Sequence, residues 1–257
     1  MLPGFSPGRS DFAETELQEL TSGGRYRITR VLKQSPGHLM LQGEDTSSGQ
    51  GVVIQVASVA ALSLSARMRL LHEAEVLRTL PCPWLAPPLE VGTFNGHFFY
   101  VRPFVRGLTL RRRLTLSLLT VAETVRLARC VLEALRAGHA RDVLHRDLEP
   151  GNIIVDPPIP LERAVLVDFG LGGSLRPDTQ TGLAAATAAY LAPEQAGLIH
   201  ADVGEPSDLY SLGAVLYEAL AGRRAFPATT LAEVLRQHLT LHPPPLRSLG
   251  LDVPEAL

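Results

Sequence analysis

The chain has 257 residues and a mass of 27.7 kDa, with 46% hydrophobic and 19% charged residues, a composition that buries a sizeable core and excludes a disordered chain. A formal net charge of −2 and a pI near 6.4 provide no field for gripping nucleic acid, and no apolar run reaches the roughly 18 residues of a membrane helix. Two cysteines, Cys82 and Cys130, are too few for a disulfide framework or a zinc site. Residues 1–11 have neither the basic start nor the apolar core of a signal peptide, so the expected location is the cytoplasm.

Residues 1–24 read as a tail, weakly acidic and without a core-forming period. From Arg25 to Val105 come short strand-like runs at 26–32, 39–43, 51–56, 89–94 and 97–102, the last two joined by the hairpin dipeptide Asn95-Gly96. One helix over 63–80 interrupts them. Its apolar stripe runs through Leu70, Leu77 and Leu80, and Glu73 falls on that stripe.

Beyond Gly107 the period is helical. Thr120 and Glu123 form a capping box for a helix whose inner face is expected at Val125, Ala128, Leu132 and Leu135. Ser207 is the expected cap of a second helix over 209–221, apolar nearly all round and closed by Gly222. The run Arg111-Arg112-Arg113 reads as a solvated helix face. Pro243-Pro244-Pro245 opens a turn-rich end.

The chemistry lies between the two helices. His145-Arg146-Asp147 follows the first, Asn152 comes five residues after Asp147, and Ile153-Ile154-Val155 makes a strand. A second strand, 164–167, delivers Asp168-Phe169-Gly170. Paired as a hairpin, the strands bring Asn152 and Asp168 to one end beside Asp147. Two oxygen ligands and a carboxylate base suit a Mg²⁺-phosphate reaction, although each triplet alone reads equally well as a turn.

The order His145-Arg146-Asp147, Asn152, Asp168-Phe169-Gly170, Thr187, Ala192-Pro193-Glu194 and Asp208 resembles the Ser/Thr protein kinases of the bacterial type over residues 25–245. The resemblance implies an α+β, two-lobe fold. Residues 25–105 would form a small antiparallel β lobe with one helix, and 106–257 a mainly helical large lobe that lacks the family's last helices. Nucleotide would lie between the lobes. Carried over by motif, Asp147 is the base for a substrate hydroxyl, Thr187 orients it, Asn152 and Asp168 hold Mg²⁺, and Glu73 is the small-lobe glutamate. Phe104, Val105 and Ile154 fall at positions that line the nucleotide.

The departures gather in the phosphate and adenine machinery. The family's glycine-rich loop has Lys33, Ser35 and His38 at its three glycine positions, with Pro36 removing an amide donor. The V-A-I-K strand reads Val52-Val53-Ile54-Gln55, so Val53 narrows the adenine slot and Gln55 leaves Glu73 without its lysine. Glu149 replaces the catalytic-loop lysine. Basic residues here are 23 arginines and Lys33, so drift from lysine would yield arginine, not Gln55 or Glu149.

Two compensations are open. Lys33 reaches the phosphates, or is an exposed strand-end lysine. Arg102, at the gatekeeper-like position before Pro103, pairs with Glu73 or Asp168, or faces solvent. The expected function is that of a pseudokinase, a regulatory or binding module with weak or absent phosphotransfer and weak Mg-ATP binding. The alternative is a divergent active Ser/Thr kinase, and a degenerate chain without independent function is the remaining reading. The expected partner is another protein or further domains of a longer chain.

Overall fold

The structure is a computed structural model that describes residues 25–35, 37–156, 160–169, 171 and 186–254. The tail, Pro36 and Gly170 lie outside the described residues. The chain divides into two compact units, the first comprising the chain up to Pro81 with Ala86–Val105 and Leu171, the second Cys82–Leu85, Arg106–Phe169 and residues 186–254.

The first unit is a five-stranded antiparallel sheet of β1 (Tyr26–Ser35), β2 (His38–Asp45), β3 (Gly51–Ser58), β4 (Glu90–Phe94) and β5 (His97–Pro103), in the order β1-β2-β3-β5-β4. The β4–β5 turn is built on Asn95 and Gly96 with φ of 45° and 78°, the positive values that a two-residue hairpin requires. Alternation divides β3 between two faces. Val52, Ile54 and Val56 join Leu39, Leu41 and Val101 in one apolar cluster, while Ala57, Phe98 and Tyr100 join Leu62 and Leu70 in another. Val53, Gln55 and Arg102 therefore share the second face.

That face meets helix α1 (Leu64–Arg78), capped by the Ser63 hydroxyl, which accepts from the Ala66 amide at 3.2 Å. The buried positions of α1 are Leu70, Glu73, Ala74 and Leu77, so the stripe carries the glutamate inward as its spacing predicts.

The second unit contains a three-stranded sheet of β6 (Leu108–Thr109), β7 (Ile153–Val155) and β8 (Ala164–Leu166), with helices α2 (Leu110–Leu114), α3 (Val121–His139), α4 (Glu205–Ala221) and α5 (Leu231–Thr240). Both halves of the Thr120–Glu123 capping box form on α3. Its buried face is only partly the expected one: Leu135 is buried as read, and Ala128 is half-buried. Leu127, Val131, Ala134 and Leu135 are buried, whereas Val125 and Leu132 are 43% and 42% exposed. Apolar residues occur on two sides of this helix, and the close approach of Phe169 selects one of them. A side chain at Gly138 would overlap the Phe169 ring.

Helix α4 starts earlier than read, at Glu205, and closes on Gly222 in the left-handed conformation (φ 69°). Ser207 lies inside it. Its hydroxyl accepts the Gly204 amide at 3.2 Å and donates to Glu194 at 2.5 Å, tying the start of α4 to Glu194. The arginine run is likewise corrected. Arg113 is buried, bonds to Ser117 O and Oγ at 2.7 and 2.6 Å, and lies 3.5 Å from the buried carboxylate of Glu123. A solvated face needs three outward side chains, but the three fall at about 100° steps around a helix and one points in.

Candidate active site

In the second unit, pairing of Ile153 with Leu166 sets Asn152 and Val167 side by side, and the Val167 amide donates to the Asn152 carbonyl at 2.9 Å. Asn152 and Asp168 thus leave one end of the β7–β8 hairpin, as their order in the sequence predicts. The Asn152 side-chain amide donates to the Asp147 carbonyl at 2.8 Å and to its carboxylate at 3.0 Å. These bonds use Asn152 Nδ2 and tie it to Asp147. Asp168 is buried in the left-handed region at φ 60°, a conformation uncommon for a residue with a side chain.

The loop before Asp147 is held from below. Asp208 accepts from the His145 and Arg146 amides and from His139 Nε2, each at 2.8 Å. Burial opposes its charge, but the bond from His139, the neighbouring His145 and the two amides outweigh burial and hold its carboxyl below the usual value. His145 accepts the Asp147 amide at Nδ1 (3.2 Å) and its Nε2 bonds the Val167 carbonyl (3.1 Å), so the ring ties Asp147 to Val167. Its ring meets Phe169 edge-on at 5.1 Å. Glu149 is buried, Ile154 and Thr187 are half-buried, and all three belong to this unit.

In the first unit, Gln55 (5% exposed), Glu73 (5%) and Arg102 (6%) are all buried, and Val53 stands directly opposite Arg102 across β3–β5. The solvent-facing alternative for Arg102 is thereby removed. One Arg102 amine donates to the Pro103 carbonyl at 3.3 Å. His38 Nε2 donates to Gln55 Oε1 at 3.3 Å, a contact between two positions that depart from the resembled pattern. Phe104 donates its amide to Gly51 O at 2.8 Å, and Phe104 and Val105 are half-buried. Lys33 is exposed. Register shifts in β1 pair it with Met40, which itself pairs with Gln55, so Lys33 lies on the Gln55 face.

Residues 40–247 match the protein kinase domain model. The chain belongs to the protein kinase family. It is 33% identical to the serine/threonine-protein kinase pkn2 of Myxococcus xanthus over 235 residues, 88% of this chain and 28% of that protein. Identity to the serine/threonine-protein kinase PknA of Mycobacterium tuberculosis is 32% over 236 residues, 88% of this chain and 54% of that one. The chain therefore spans between about a quarter and a half of the length of these relatives. The fold matches the crystal structure of the PknI kinase domain of Mycobacterium tuberculosis with a TM-score of 0.66 at 24% identity, covering 88% of this chain and 81% of that one. The two units correspond to the small antiparallel and mainly helical halves of a serine/threonine protein kinase-like domain.

The family uses Mg-ATP, and the two units differ in how well their donors fit it. Asn152 and Asp168 are hard oxygen ligands at one end of a hairpin, which fits a divalent cation. In the first unit the lysine position is Gln55, a neutral amide whose Oε1 accepts from His38 and which brings no positive charge to a triphosphate.

Three positions that matter were not found from the sequence. Arg111 donates to Glu149 at 3.0 Å, Gln195 donates to the Arg146 carbonyl at 3.0 Å, and His139 bonds Asp208. Each joins segments at least 38 residues apart, and only His139, on the last turn of α3, carried a local signal, its place in the chain.

Proposed function

We propose that this kinase domain is a pseudokinase, a cytoplasmic regulatory or binding module that keeps the fold and the catalytic-loop residues Asp147 and Asn152 but transfers little or no phosphate. The observation that carries the reading is the His38–Gln55 hydrogen bond. Two substitutions that each remove part of the phosphate site bond one another through Gln55 Oε1, while Gln55 Nε2 stays buried without a hydrogen-bond partner among the described residues, so the lysine position carries a neutral amide. Loss of one transition-state donor costs roughly 10² to 10³ in rate, and here a lysine is neutral, a loop lysine is acidic and a loop glycine is histidine.

Glu73 needs a cation, a proton or water in place of the lysine. Arg102 meets that need in this account. Both side chains are buried on the face between sheet and α1, and an ion pair there keeps α1 in place without nucleotide. Asp147, Asn152, Asp168 and Thr187 retain the family's roles as positions, with Mg²⁺ held at Asn152 and Asp168.

The rival reading, an active kinase that grips phosphates with Lys33, draws support from the placement of Lys33 on the Gln55 face. Calorimetric titration of ATP with and without Mg²⁺ separates the two. Weak or undetectable binding supports the pseudokinase, and a low-micromolar dissociation constant that is lost in Lys33→Met supports the rival.

A further inference from the structure

We infer that the cation of the catalytic loop has moved to α2: Arg111 is a positioning residue that holds the Asp147–Asn152 loop through Glu149. This deepens the proposed function and depends on it only in taking that loop as the site.

Glu149 occupies the position at which the resembled family carries lysine. Its side chain, 12% exposed, turns back over the following turn, where a Cβ added to Gly151 would stand 2.6 Å from Glu149 Oε1 and 3.8 Å from Arg111 Nε. The guanidinium therefore lies over Glu149 and Gly151, next to Asn152 in the chain. Arg111 NH2 donates to Glu149 Oε2 at 3.0 Å, and its Cζ stands 6.0 Å from the centroid of the buried Tyr190 ring. Carboxylate and ring face fix a planar cation in a way that a flexible ammonium does not reproduce.

The absence of a side chain at Gly151, an acid at 149 and an arginine at 111 form a consistent set. A glutamate at 149 without Arg111 would leave a nearly buried carboxylate without this cation, two residues from Asp147 in the chain. With Arg111 the loop keeps its shape while its positive charge is engaged from outside.

The test is a charge-reversal cycle in the full chain: Arg111→Glu, Glu149→Lys and the double variant, with Arg111→Gln and the exposed Arg112→Ala alongside. Each variant is measured by melting temperature and by amide hydrogen exchange of residues 147–152. Both single reversals should lower the melting temperature and speed exchange, and the double should recover most of both losses, a rescue that packing alone cannot give. Arg111→Gln should behave as the single reversals do, and Arg112→Ala as wild type. Mg²⁺-ATP affinity should rise in the double variant, whose lysine is back on the loop. Losses that add in the double variant, or unchanged exchange in Arg111→Gln, would overturn the inference. Because the stability arm needs no nucleotide, it decides the matter even if the wild-type chain proves to transfer phosphate.

Discussion

His38 donates to the side-chain oxygen of Gln55 across β2 and β3, at 3.3 Å and inside the sheet face that α1 covers. Both residues stand where the family places parts of its phosphate grip. Gln55→Lys alone should gain little Mg²⁺-ATP affinity, because the new ammonium meets the His38 ring. Adding His38→Gly should gain more than the two single changes together. Calorimetry on the three variants checks this, and an equal gain from Gln55→Lys alone would show that His38 is no obstacle.

Arg102 and Glu73 are expected to act as a pair. Removing one partner of a buried pair costs about 3–5 kcal/mol, since the other charge stays behind. Arg102→Met should therefore lower the melting temperature sharply, and Glu73→Gln added to it should restore part of the loss. Additive effects in that double-mutant cycle would mean that the two side chains do not interact.

Arg113 and Glu123 form a second buried pair, at 3.5 Å, between α2 and the cap of α3. Glu123 also accepts from the Thr120 and Leu161 amides at 2.9 and 3.0 Å. Arg113→Met should cost about 3–5 kcal/mol in denaturant unfolding, while Arg112→Met, at an exposed position, should stay within about 0.5 kcal/mol. Equal losses would return the arginine run to a solvated face.

His238 joins α5 to α4 and to the segment after Thr187, through Tyr210 Oη at 2.6 Å and the Ala188 carbonyl at 2.9 Å. Burial lowers its pKa, against the opposing effect of the Ala188 bond. A histidine held neutral in the fold binds fewer protons than it does unfolded. Its contribution is complete above the unfolded value of about 6.5 and is lost as pH falls through the lower folded value. The melting temperature should fall between about pH 7.5 and about pH 5.5, roughly a unit on either side of that unfolded value. The fall should be smaller in His238→Gln, and the same slope in both proteins would contradict the assignment.

The sequence was most informative where the chemistry is contiguous. His145-Arg146-Asp147, Asn152 and Asp168 follow one another around a hairpin, and the structure brings Asn152 to Asp147 and to the Asp168 strand. Glu73 was legible because it falls on the stripe read through Leu70 and Leu77, both buried, although Leu80, the stripe's third member, lies beyond the helix end at Arg78. Contacts across long separations were not. Arg111 and Glu149 are 38 residues apart, and neither residue's neighbours announce the other. The face of Lys33 depends on two register shifts in β1 that no local pattern encodes. Helix α3 misled for a different reason, because its apolar residues admit two faces and only packing against Phe169 chooses between them.

The central claim is that Asp147, Asn152 and Asp168 are kept while the phosphate grip, with Gln55 and Glu149 in place of lysines, is not. Its most direct test is incorporation of radiolabelled phosphate from Mg²⁺-ATP into the chain itself and into a generic Ser/Thr substrate, beside an Asp147→Ala control. The account predicts no incorporation above that control. Incorporation that disappears in Asp147→Ala, and also in Lys33→Met, would contradict it and establish an active kinase.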